Sequence, residues 1–155
     1  MSESNLTSVD WQLLELLQEN SRATISDLSK KIGRSRSNIN ERIEKLQDAG
    51  VLVGMTVEVD EEKLGFGISA FVRLQASSAN HRKIINTINE IPEAAECHVL
   101  TGSELVIIRF VAKDMAHLRT LVDNLTQYGS TQTDVIFSTV KKHFYINDTL
   151  KNTLK

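Results

Sequence analysis

The sequence predicts an α+β chain in two parts, and three observations carry that prediction. Apolar residues recur at helical spacing in three short segments before residue 50. From residue 66 the pattern changes to period-two alternation in four segments with two helical stripes between them. The two regimes meet at Asp60-Glu61-Glu62-Lys63, an acidic stretch that reads as a linker. The expected layout is a helical domain over residues 1–59, a linker over 60–65 and a mixed domain over 66–155.

Residues 8–20 form the first predicted helix. Trp11, Leu13, Leu14, Leu16 and Leu17 supply its apolar stripe, with Ser8 or Asp10 expected at its cap. Thr24, with Asp27 three residues on, starts a second helix whose inward face is Ile25, Leu28 and Ile32. Gly33 then supplies the positive φ that a tight helix-to-helix turn commonly needs. Ser35 caps a third helix running to about Ala49, with Ile39, Ile43 and Leu46 on one stripe. Val51 to Val59 reads as a strand with a bend at Gly54.

In the second part, Ile68, Ala70, Val72 and Leu74 alternate with Ser69, Phe71, Arg73 and Gln75. Asn80 to Ile91 is a helix ended by Pro92. Ala95–Thr101 and Leu105–Val111 are strands joined at Gly102-Ser103. Asp114 caps a helix carrying Leu118, Leu121 and Leu125, and Thr131 to Tyr145 is a long last strand. The order β-α-β-β-α-β predicts a ferredoxin-like sheet with both helices on one face. Phe71, Phe137 and other apolar side chains are expected on the uncovered face, where a second copy would bury them.

Composition narrows the classes. With 41% apolar and 25% charged residues the chain reads as globular, and one cysteine, Cys97, allows no internal disulfide. There is no basic, apolar leader at Met1–Asn5 and no apolar run near the ~20 residues that span a bilayer, so a cytoplasmic protein is expected. His81, His98, His117 and His143 lack metal-ligand spacing, and no cofactor is expected. Cys97 and His98 are strand neighbours pointing to opposite faces, and no phosphate loop or nucleophile elbow occurs, so catalysis is not expected.

Charge distribution points to a different activity. The net charge is −2, yet residues 30–45 hold six bases (Lys30, Lys31, Arg34, Arg36, Arg42, Lys45) against Glu41 and Glu44. Residues 1–60 as a whole hold seven bases and ten acids, so the positive charge is concentrated in this segment. Solvated helix faces are the plain alternative. Three helices with a glycine turn before the third describe a helix-turn-helix, whose last helix enters the major groove with its N-terminal residues foremost. That reading places Ser35, Arg36, Ser37, Asn38 and Asn40 near bases and phosphates. Lys30, Lys31, Arg34, Arg42 and Lys45 become phosphate anchors on double-stranded DNA. A competing reading gives the helical domain a protein partner instead.

The residues also resemble those of the Lrp/AsnC, or feast/famine, regulators along nearly the whole chain. The resemblance lies in Val9-Asp10-Trp11-Gln12-Leu13-Leu14, Leu28-Ser29-Lys30-Lys31-Ile32-Gly33, Arg42-Ile43-Glu44-Lys45-Leu46 and Ala49-Gly50-Val51-Leu52. It continues through Glu96-Cys97-His98, Thr101-Gly102, Asp114-Met115, Thr131-Gln132-Thr133 and Val140-Lys141. It implies a transcription regulator whose homodimers assemble further, to a homo-octamer, and whose effector is an amino acid held where dimers meet. Thr101, Gly102, Ser103 and Glu104, with Thr131 and Thr133 from a facing subunit, would line that pocket. Many members carry Gly-Asp-aromatic-Asp at this turn; here it is Gly102-Ser103-Glu104-Leu105.

Overall fold

The structure, a computed structural model, describes residues 6–76, 81–102, 105–141 and 144–146. It has two compact units. One comprises the chain up to Glu58 with the described residues from Lys141 onward, and the other spans Val59–Val140.

The first unit holds α1 (Ser8–Glu19), α2 (Ile25–Ile32) and α3 (Arg36–Asp48). α1 is capped by Thr7, one residue before the expected position. The Thr7 hydroxyl accepts the Asp10 N–H at 3.3 Å, and Asp10 Oδ2 accepts the Thr7 N–H at 2.8 Å. That reciprocal pair satisfies two backbone donors a helix start leaves open. Thr24 caps α2 and Ser35 caps α3, as read from the sequence. Asp27 accepts the Thr24 hydroxyl at 2.6 Å, and its own N–H donates back to that hydroxyl at 3.1 Å. Leu13, Leu14, Leu17, Leu28, Ile39 and Leu46 form one core, each burial contributing roughly 1.5–3 kcal/mol.

The strand expected at Val51–Val59 does not form. Its apolar alternation is real, but a ladder needs a neighbouring strand, and no described strand pairs with this segment; the Val51 and Leu52 N–H groups instead donate to the Leu46 carbonyl, each at 2.9 Å. Val53 and Val57 are left 93% and 82% exposed. The final stretch also departs from the expected domain limit, because Gln18 holds Ile146. Its Nε2 donates to the Ile146 carbonyl at 3.2 Å, and the Ile146 N–H donates to Oε1 at 3.0 Å.

The second unit runs β1 (Ile68–Gln75), α4 (His81–Asn89), β2 (Ala94–Val99), β3 (Val106–Ala112), α5 (Met115–Thr126) and β4 (Ser130–Val135). The strands pair antiparallel in the order β2-β3-β1-β4, the ferredoxin-like arrangement. Ala70, Val72 and Leu74 of β1 and Val106, Ile108, Phe110 and Ala112 of β3 share one face. They close a core with Ile84 and Ile88 of α4 and Leu118, Leu121 and Leu125 of α5. Gly129 lets the chain pass the end of β1: a Cβ there would lie 2.0 Å from the Gln75 carbonyl oxygen.

Three expectations for this unit are corrected. The last strand stops at Val135, well short of Tyr145; Ile136 still donates to the Ser69 carbonyl, but β1 begins at Ile68 and offers nothing further to pair with. Lys142 and His143, inside that expected strand, lie outside the described residues. The residues read as a linker pack on the sheet, where the Glu61 carboxylate accepts two hydrogen bonds from Arg109, each 3.1 Å. The open sheet face is mixed rather than apolar. Beside Phe71 and Ile107 it carries Arg73 paired with Asp134 at 3.0 Å and Arg109 paired with Glu96 at 2.8 Å. Phe137 stands past the end of β4, fully exposed.

Candidate functional site

The turn between α2 and α3 is fixed by Gly33, which takes φ 71° and ψ 37°. A side chain there would meet nothing within 4 Å, so backbone conformation alone demands glycine. The N–H groups of Gly33 and Arg34 both donate to the Ser29 carbonyl, at 2.9 and 3.2 Å. The chain then re-enters a helix at Ser35, whose Oγ accepts the Asn38 N–H at 3.2 Å and lies 3.0 Å from Ser37 Oγ.

α3 divides into two faces. Ile39 and Leu46 are buried and Ile43 is half-buried against the unit's core. Arg36, Ser37, Asn40, Glu41, Glu44, Lys45 and Asp48 are exposed. The acids fall in the later turns, so the first turns are where α3 best suits an anion.

The bases differ in what they hold. Lys30, Lys31 and Arg34 are exposed around the turn. Arg36 reaches back across it, its Nη2 donating to Ser26 Oγ at 2.9 Å. Lys45 pairs with Glu41 at 2.6 Å, and that hydrogen bond holds the Glu41 carboxyl below its usual range. Both groups are well exposed, so the pair is weak and can open.

Arg42, read from the sequence as a phosphate anchor, is turned inward. Its Nη1 donates to Asp10 Oδ1 at 2.7 Å and to Thr7 Oγ1 at 3.1 Å, and its Nε donates to Asn38 Oδ1 at 3.0 Å. Burial pushes the Asp10 carboxyl up, but hydrogen bonds from Thr7 and Arg42 outweigh it and hold the group below its ordinary range. Sequence reasoning assigned no role to Thr7 or Ser26, and gave Asp10 only a helix cap. The Thr7-x-x-Asp10 spacing was the available signal for the first pair.

Among the described residues, Thr101 and Gly102 do not meet Thr131 and Thr133 within one chain. Thr101 and Gly102 are exposed beyond the end of β2, while Thr131 and Thr133 sit on β4 at the opposite edge. The row Val99–Val106–Leu74–Thr131 crosses three strand spacings, about 14 Å. Ser103 and Glu104 lie outside the described residues.

A family model described as the Lrp/AsnC ligand binding domain matches residues 69–146. The chain belongs to the Lrp/AsnC family. A winged helix-turn-helix DNA-binding model matches residues 6–53, the segment holding α1, α2 and α3. This Lrp/AsnC chain is 35% identical to the transcriptional regulator AzlB of Bacillus subtilis over 144 residues, 88% of this chain and 92% of that protein. It is 29% identical to the HTH-type transcriptional regulator LrpB of the same organism over 139 residues, 90% and 93% of the two chains. The solved structure of B. subtilis LrpC matches with a TM-score of 0.84 at 26% identity, covering 89% of this chain and 99% of that one. A Neisseria meningitidis transcriptional regulator solved as an L-Met complex also gives 0.84 at 26% identity, covering 94% and 99%. The Lrp/AsnC chain is thus a transcription regulator with a DNA-binding helix-turn-helix unit and a ligand-binding unit. Among the described residues, no helix is long and apolar enough to cross a membrane.

Proposed function

We propose that this regulator docks the first turns of α3 in the major groove, with Arg36, Ser37, Asn38 and Asn40 toward base edges. Ser35, Lys30, Lys31, Arg34 and Lys45 face phosphates. The observation that carries this reading is the arrangement around Gly33. The exposed start of α3 and three exposed bases flank one rigid turn, and the acids of α3 lie farther along the helix. Phosphate contacts set affinity and register, and the base-facing side chains set preference.

The working unit in this proposal is a homodimer that assembles to an octamer in the cytoplasm. Val53, Met55, Val57 and Val59 are exposed at period two, and Phe137 and Val140 are bare beyond β4. Surface of that kind is ordinarily covered by another chain, and a second copy supplies both a ladder partner and an apolar cover. Assembly also resolves the separation of Thr101 and Gly102 from Thr131 and Thr133, because a facing subunit can bring the second pair to the first. Hydroxyls and the N–H groups of the Gly102-Ser103 turn suit an α-carboxylate, and Glu104 suits an α-ammonium. The L-Met complex of the Neisseria relative supports an amino acid as effector. No cofactor or catalytic step enters this reading.

Selection of binding sites from a pool of random duplexes, with and without each amino acid, tests it. Enrichment of a two-fold repeated site, altered by at least one amino acid, is expected. A pool that stays random under all conditions would overturn the proposal.

A further inference from the structure

Arg42 joins the start of α1 to the start of α3. Its side chain and that of Asp10 are 24% and 12% exposed, and Asp10 is itself held by the Thr7 cap. On the other side, Arg42 Nε reaches Asn38 Oδ1 at 3.0 Å. A guanidinium carries donors only, so the amide atom it meets must be the oxygen. The orientation of the Asn38 amide is therefore set by chemistry. Asn38 is half-buried in the first turn of α3, and its Nδ2 meets no acceptor among the described residues.

We infer that Arg42 is a positioning residue for base recognition: anchored on Asp10, it locks the amide of Asn38 so that this side chain discriminates at one base pair. The inference rests on the proposed docking of α3. An asparagine free to flip offers its donor and acceptor ends interchangeably. It also gives up rotamer freedom on binding, which lowers the gain from a specific contact. A braced amide has one pattern ready, with Nδ2 outward toward an acceptor such as a purine N7. With at least three N–H groups engaged inside the protein, Arg42 contributes little as a phosphate anchor.

The test uses the full-length protein and the duplex it enriches from a random pool, with every base pair substituted in turn. Asn38→Ala should lose discrimination, by about tenfold, at one base pair. Arg42→Met should lose it at the same base pair. The double variant should lose no more than either alone, and affinity for random duplex and its salt slope should hold. Should Arg42→Met unfold, Asp10→Asn loosens the same brace without altering α3 and carries the same expectation. A drop on all DNA with a salt slope flatter by about one marks Arg42 as a phosphate anchor and overturns the inference. So do additive losses in the double variant, or unchanged preference in both brace variants. Failure to enrich any sequence would instead remove the docking of α3 itself.

Discussion

Arg42 on α3 and Asp10 on α1 meet at 2.7 Å, and through them the last helix of the motif is tied to the first turn of the chain's first helix. Arg42→Ala leaves a carboxylate with little solvent and one partner fewer. Removing one member of such a pair costs about 1–3 kcal/mol, read by urea denaturation of the full chain. The Asp10 carboxyl titrates below its ordinary range in the fold. Its contribution is therefore complete above the unfolded value of about 4 and fades as pH falls through the lower folded value. Wild type should lose more stability than Asp10→Asn when pH is lowered below about 4. Equal losses would show that Asp10 is not the titrating group.

Two glycines separate two kinds of constraint. Gly33→Ala forces an L side chain into the left-handed region but meets open space, so it costs about 1 kcal/mol. Gly129→Ala drives a Cβ into the Gln75 carbonyl and must move backbone, so its midpoint should fall well below that of Gly33→Ala. The reverse order in chemical denaturation would contradict the path drawn for the loop before β4.

Charges on the DNA face differ in sign and in partners. Lys31→Ala should weaken all duplexes alike and flatten the salt slope by about one. Glu41→Gln should strengthen binding at low salt, because it removes a like charge and frees Lys45. Fluorescence anisotropy across salt concentrations reads both. Weaker binding by Glu41→Gln would mean that this acid serves recognition.

Val57→Glu places a charge in the middle of the exposed period-two segment. By light scattering the variant should have a lower mass than wild type. It should also lose the thermal shift given by the amino acid that binds wild type, since the two halves of the proposed pocket lie on different subunits. A small variant that keeps the shift would place the pocket within one chain.

Much of this was legible in the sequence where local chemistry decides. Thr24, Ser35 and Asp114 cap helices, Gly33 turns the chain, and period-two runs such as Ile68–Leu74 became strands because each had a neighbour to pair with. The same pattern misled at Val51–Val59 and beyond Val135, where alternation is present but no strand pairs with it among the described residues. Charge was the least legible property. Arg42 and Lys31 look alike as letters, yet one is folded onto Asp10 and the other stands in solvent, a distinction made by residues 32 positions apart. For the effector pocket, the resemblance put Thr101 on one subunit and Thr131 on a facing one, and the sheet order sets the two at opposite edges of a single chain.

The central claim is that the first turn of α3 faces a duplex, and Ser37→Glu tests it most directly. At this exposed second position of α3 an added carboxylate complements the helix dipole, so the fold should be as stable as wild type or slightly more so. The same charge would sit among phosphates. The account predicts an unchanged melting curve with loss of binding to the selected duplex in anisotropy titrations. Binding as tight as wild type by this folded variant would contradict it.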